Sequence, residues 1–159
     1  MLVGFGQAAP ERPHFMVPPV YFLVALLLMG FFHRVAPGAI LIQEPYHHGG
    51  VVLIVLAAGL ILWALLLFRR ARTAILPHAQ PSALVIAGPY RFTRNPMYLG
   101  MAGILLGAAI LMGSITPFVV IPAFMALITD RFIRGEEQKM QLAFGDDYLA
   151  YKARVRRWL

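Results

Sequence analysis

The sequence contains no cysteine, which excludes disulfides, thiolate nucleophiles and cysteine metal sites. Acidic residues are scarce, seven against fourteen Lys and Arg in 159 residues, and charged side chains make up only 13% of the chain. An ordinary soluble domain carries about 25%. No GxGxxG, P-loop or GxSxG sequence occurs, so there is no local case for a Rossmann domain, nucleotide hydrolysis or a serine hydrolase. Low-complexity tracts and repeats are also missing. What remains is mostly apolar: 60% of the residues, with a mean hydropathy of +0.71. The composition predicts an all-α, polytopic integral membrane protein with a single domain over residues 1–159.

Four apolar segments carry that fold. Residues 49–68 contain no charge, and at a rise of about 1.5 Å per residue they match a hydrocarbon core about 30 Å thick. Residues 17–32 form another span, with Pro18 and Pro19 placed in the first turn, where no helical donor is lost. The first helix is expected to be retained, because no small-residue cleavage pattern follows it. Residues 97–113 and 115–129, divided by Gly113 and Ser114, read as a tight helical hairpin whose returning arm is irregular because of Pro117 and Pro122. Gly100, Gly103 and Gly107 recur at helical spacing, giving the rising arm a smooth face for another helix. Residues 130–159 follow as a helical tail.

Basic residues set the expected orientation. Arg12 precedes the first span, five arginines lie between residues 69 and 94, and seven cations lie from Arg131 onward. Of the fourteen, only Arg34 falls on the other side. Positive charge collects on the inner face, so both termini and the loop 69–96 are expected in the cytoplasm, with the chain in a bacterial inner membrane. The charge then needs no nucleic acid, although the basic tail is suited to anionic lipid.

This topology gathers the dense polar regions on one face. Asn95-Pro96 reads as a helix start, with asparagine capping and proline in the first position. A helix N-terminus there offers unpaired N–H groups to a carboxylate or phosphate, reinforced by Arg91 and Arg94. Tyr90 and Tyr98 fit either such a site or an aromatic belt. In the tail, Asp130, Arg134, Glu137 and Gln141 form one helical stripe, and Phe132, Ile133, Glu136, Met140 and Ala143 lie on or near another. Glu137 is placed either to pair with Arg134 on a wet face or to serve a site. Glu136, among apolar neighbours, requires a buried partner. Gly145 before Asp146-Asp147 reads as a helix stop and a new start, after which Tyr148, Tyr151, Val155 and Trp158 continue at helical intervals. The five histidines are scattered, and no metal site is expected.

Two blocks, "GPYRFTRNPMYLG" (88–100) and "GEEQKMQLAFGDDYLAY" (135–151), lie in this order across a helical hairpin. They resemble the isoprenylcysteine carboxyl methyltransferase family, which is related to phospholipid N-methyltransferases. With the upstream "TAILPHAQPSALVIAGPY", similarity extends over roughly Thr73 to Tyr151. Asn95 stands where many eukaryotic members carry histidine; asparagine there is familiar among bacterial relatives. The resemblance implies an integral membrane enzyme that uses S-adenosylmethionine, bound between the loop, the foot of the hairpin and the tail. It implies cofactor contacts at Tyr90, Arg94, Asn95, Tyr98, Gly100, Glu136 and Glu137. The cofactor carboxylate would lie near Asn95 and Arg94 and its ammonium near Glu136 or Glu137, while Arg94 is also the candidate to orient an acidic acceptor in catalysis. The methyl acceptor implied is lipidic or a small amphiphile, a carboxylate in the isoprenylcysteine case. Two other readings compete: an NADPH-dependent membrane reductase of the sterol-reductase type, and a noncatalytic lipid-binding or interaction protein.

Overall fold

The computed structural model describes residues 17–71 and 83–159. Arg12, Arg72, His14, His78 and the first part of the segment leading to the 88–100 block lie outside the described residues. Five helices follow in order: α1 (Pro18–Val35), α2 (Gly49–Arg70), α3 (Pro96–Met112), α4 (Thr116–Ile128) and α5 (Arg134–Arg154). Among the described residues, three helical runs are long and apolar enough to cross a membrane, Pro18–Val35, Tyr46–Arg70 and Thr116–Arg154, and Pro96–Met112 is a shorter apolar helix. The expected all-α, polytopic membrane architecture is what the chain adopts.

The ends of the helices follow local chemistry. Proline occupies the first turn of α1, α3 and α4, where its missing N–H leaves no helical bond unmade. Arg69 and Arg70 close α2 at the negative end of its dipole. Gly113 terminates α3 with φ 72°, a left-handed conformation that glycine adopts without the Cβ clash of other residues. The hairpin turn is anchored there: Leu41 and Ile42 donate their N–H groups to the Gly113 carbonyl at 2.8 and 3.1 Å, and Ile115 donates to Ala39 at 3.0 Å. His33 Nδ1 and Ser114 Oγ, 2.7 Å apart, tie the end of α1 to the same turn.

Helix α3 is the centre of the bundle. On one side its glycines admit α2 closely: a Cβ on Gly107 would stand 2.7 Å from the Gly50 carbonyl oxygen, and one on Gly103 would stand 2.9 Å from Ala57 Cβ. On the other side a buried cluster of Met29, Leu105, Phe124, Ile128, Phe132 and Ile133 joins α1, α3, α4 and the turn that follows α4. Edge-on aromatic pairs, Phe22 with Phe124 at 6.5 Å and Tyr21 with Phe132 at 5.3 Å, extend that contact.

The returning arm, with Pro122 inside it, ends at Ile128, close to the expected 129, and a π-helical turn, Thr129–Ile133, leads from it directly into α5. Gly145, at φ 51° and ψ −124°, breaks the helical geometry where a stop and a new start were expected, so that two helices meet there across a kink. The last helix ends at Arg154 rather than running to Trp158. Val155 is extended and Arg156 pairs as an isolated parallel bridge with Thr93, because the 93–95 loop offers backbone partners that a further helical turn would forgo.

Candidate functional site

The helices alternate in direction, so the start of α1, the end of α2, the start of α3 and the first half of α5 meet at one end of the bundle. A cavity of about 550 Å³ lies among them, within the roughly 300–1,000 Å³ of small-molecule sites. Its wall divides by chemistry. Val17, Pro18, Pro19, Ile61, Leu65 and Met101 form an apolar side; Tyr90, Arg94, Asn95, Tyr98, Glu136 and Glu137 contribute the polar side. Six of the seven residues singled out as ligand contacts in the sequence therefore border one cavity. Gly100 does not: it faces α2, where a Cβ would stand 2.9 Å from the Ala57 carbonyl oxygen and would also collide with Ile61. The glycine face of α3 is closed by α2 and is not open to a lipid chain.

The two adjacent glutamates have opposite environments. Glu137 is 8% exposed. Its Oε1 accepts from Arg94 Nη2 at 2.8 Å and Arg157 Nε at 2.9 Å, and its Oε2 accepts from Arg157 Nη2 at 2.7 Å. It does not pair with Arg134, which instead meets Asp130 at 3.0 Å on the surface. The expected wet face is interrupted because two arginines remote in sequence cover it. Glu137 lies beyond the apolar part of the α4–α5 run; burial pushes its carboxyl up, but hydrogen bonds and charge from Arg157 and Arg94 outweigh burial and hold it at about 2. Glu136 has the partner its apolar surroundings demand: Tyr98 Oη donates to its Oε1 at 2.7 Å. Burial there raises the carboxyl above its ordinary value, against the opposing pull of the Tyr98 hydroxyl and of Lys139.

Arg94 has a different role from a free anion ligand. Its Nη1 donates to the carbonyls of Lys152 at 3.0 Å and Val155 at 2.7 Å, and its Nη2 is taken by Glu137. Asn95 is likewise engaged. Its side chain does not cap α3; Nδ2 donates to the Arg157 carbonyl at 3.0 Å, while its own N–H is received by Thr93 Oγ1 at 3.1 Å. Asparagine has a donor as well as an acceptor, and the tail carbonyl competes successfully for it.

Among the described residues, two buried polar atoms bordering the cavity make no hydrogen bond: Tyr90 Oη and Arg94 Nε. Tyr90 is 5% exposed and its ring tilts against Phe68 at 5.4 Å. Its position is held from the backbone, whose carbonyl accepts from Tyr151 Oη at 2.7 Å. Burial, then the nearby Tyr151 and Glu136, push the Tyr90 hydroxyl up, so it is a neutral hydroxyl at physiological pH. Unpaired buried polar atoms are uncommon and mark places where a ligand can complete the bonding.

Arg157 was not legible as a site residue, because one more arginine in a basic tail reads as a topology marker. Tyr148 and Tyr151, marked in the sequence only by their helical spacing, also border the cavity. No group of three or more His, Asp or Glu side chains suited to a metal ion is found among the described residues.

An uncharacterized protein of Haemophilus influenzae (strain ATCC 51907 / DSM 11121 / KW20 / Rd) is 36% identical over 63 residues, which cover 40% of this chain and 100% of that protein. No solved structure matches. A family model described as phospholipid methyltransferase matches residues 46–147, a stretch that includes α2, the 88–100 block, the hairpin, both glutamates and the Gly145 kink. The chain belongs to the phospholipid methyltransferase family.

Proposed function

We propose that the protein is an S-adenosylmethionine-dependent methyltransferase acting on a lipidic or amphiphilic acceptor, with its cofactor in the cavity at the foot of the hairpin. The observation that carries this reading is Glu136: a carboxylate opposed by the Tyr98 hydroxyl rather than by a guanidinium, on the wall of a cavity bordered by Tyr90 and Tyr148. Family membership supplies the reaction class. S-adenosylmethionine, when bound, supplies a methyl group already activated on a sulfonium.

The residues fit such a molecule. Glu136 receives the ammonium; Glu137, already satisfied by Arg94 and Arg157, does not. The rings of Tyr90, Tyr98 and Tyr148 give electron-rich faces to the cationic end. The first N–H groups of α3, left without helical partners, suit the carboxylate, with the orphaned Tyr90 hydroxyl and Arg94 Nε as further donors. Arg94 acts mainly by positioning, since both terminal nitrogens are engaged. Methyl transfer is an in-line displacement that needs alignment, exclusion of water and electrostatics rather than a covalent nucleophile.

The apolar side of the cavity, from the start of α1, the end of α2 and Met101, supports entry of the acceptor's hydrocarbon part from the bilayer. A carboxylate acceptor requires no general base; an amine or thiol acceptor must lose a proton. Both chain ends and the cavity are assigned to the cytoplasmic face, following the distribution of Lys and Arg.

Calorimetric titration of the purified protein in detergent with S-adenosylmethionine, S-adenosylhomocysteine and NADPH tests the reading. Binding of the first two, weakened in Glu136→Ala with the fold retained, is the expected result. Binding of NADPH alone points to a reductase, and binding of none to a noncatalytic lipid-binding protein; either outcome refutes the proposal.

A further inference from the structure

Residues 155–157 lie against the 93–95 loop, and their contacts converge on one side chain. Arg157 is held at both ends. Its carbonyl oxygen accepts from Thr93 Oγ1 at 3.1 Å and Asn95 Nδ2 at 3.0 Å, and its guanidinium grips both oxygens of Glu137 at 2.9 and 2.7 Å. The backbone beside it is also fixed, with Arg94 N–H donating to the Arg156 carbonyl at 2.9 Å. A side chain that did no more than mark the inner membrane surface would have no reason for a two-pronged, planar contact with a carboxylate that is 8% exposed.

We propose that Arg157 is a positioning residue for ligand binding: by clamping Glu137 it sets the rotation of α5 and leaves Glu136 as the cavity-wall glutamate with no guanidinium on it. Successive residues of an α-helix are turned by about 100°, so a helix fixed at Glu137 has its neighbour's direction fixed as well. Glu136 then meets Tyr98 and the cavity instead of the tail. Charge follows the same division. Two guanidiniums neutralise Glu137, which leaves Glu136 as the carboxylate available to a cation. Without Arg157, Glu137 keeps Arg94 as its one guanidinium, and the cavity wall then carries a second, only partly compensated carboxylate on a helix less firmly held. The inference rests on the cofactor reading above and adds to it a residue outside both sequence blocks that carried the resemblance.

The test uses the full-length protein in detergent, with S-adenosylhomocysteine as probe. Arg157→Ala is expected to weaken binding on the order of tenfold or more, with the thermal midpoint lowered but a cooperative transition kept. Arg157→Lys, which keeps a charge but cannot make the two-pronged contact, is expected to fall between wild type and Arg157→Ala. Methylguanidine added to Arg157→Ala is expected to restore part of the affinity, a response that loss of packing alone does not produce. Wild-type affinity in both variants overturns the inference and leaves the cofactor reading standing. Loss of cooperative folding in both assigns Arg157 to the fold and also overturns it. Failure of the wild-type protein to bind the probe overturns both.

Discussion

Adjacent glutamates, Glu136 and Glu137, should give opposite phenotypes when each is changed to glutamine. Glu137→Gln removes the anion from a cluster in which Arg94 has a side-chain exposure of 9% and Arg157 of 34%. It also turns an amide donor toward one of the arginine nitrogens that now lie 2.7–2.9 Å from the carboxylate. Breaking a buried ion pair from one side costs about 3–5 kcal/mol, because the remaining charge stays buried. Arg157 can turn toward water, so the lower end applies, about 3 kcal/mol, with Arg94 responsible for most of it. In a chain of this size that corresponds to a fall in thermal midpoint on the order of 10 °C. Glu136→Gln keeps a carbonyl oxygen that accepts from Tyr98 and so exchanges a charged for a neutral hydrogen bond, at a cost of about 1 kcal/mol, and at the same time removes a carboxylate whose ionised form burial disfavours. The two effects oppose each other, and stability should change by less than about 1 kcal/mol. Binding reverses the order. Loss of the carboxylate facing the cofactor ammonium should weaken S-adenosylhomocysteine by roughly 10–100-fold in Glu136→Gln. Thermal unfolding followed by far-UV circular dichroism, with calorimetric titration on the same samples, measures both quantities. If Glu136→Gln loses its fold while Glu137→Gln stays stable and binds less, the division of labour between the two residues is wrong.

Acid should act through Glu137. Its folded value, about 2, lies below the ordinary carboxylate value of 4.5, so the unfolded chain binds the extra proton. Its contribution, on the order of 3 kcal/mol, is complete above about pH 4.5 and is lost as pH falls toward 2; a thermal midpoint in Glu137→Gln that falls as steeply as wild type over that window contradicts it. Gly107→Ala would drive a methyl into the Gly50 carbonyl, which lies 2.7 Å from that position, and should cost about 1–3 kcal/mol by forcing α2 and α3 apart. Gly59→Ala, with nothing within 4 Å, should be neutral or stabilising by up to about 1 kcal/mol in the same unfolding assay. Because the chain lacks cysteine, Tyr46→Cys and Arg70→Cys report topology directly. A membrane-impermeant maleimide should label them from opposite faces of oriented vesicles, with Arg70→Cys on the cytoplasmic side, and labelling of both from one face would refute the assigned topology.

Much of this protein was readable from local pattern. Burying apolar side chains and leaving no backbone group unpaired in lipid admit few solutions, so an uninterrupted run such as 49–68 had to become a helix. Gly113 announced its turn because a left-handed residue is needed to reverse the chain, and the apolar setting of Glu136 announced that it needed a partner. The errors came where partners were distant. Asn95 looked like a helix cap because capping is decided within three residues, yet the donor was taken by a carbonyl 62 positions away. For Glu137, pairing with Arg134, its neighbour one turn back, was one of two readings, and it meets instead arginines 43 positions before it and 20 after it.

The sequence by itself determined the membrane class, the helical order, the hairpin and the block of residues from which a site had to be built, since each follows from hydropathy, charge or glycine and proline geometry over short stretches. Only the tertiary structure decided how those residues divide their work: Gly100 to the α2 contact, Arg94 and Asn95 to the tail, Glu137 to two guanidiniums, and Glu136 with Tyr90 and Tyr98 to the cavity. The reason is competition. Each polar group has several acceptable partners of similar strength, and which one it meets depends on helices and an extended C-terminal segment brought together by packing, which no local pattern encodes.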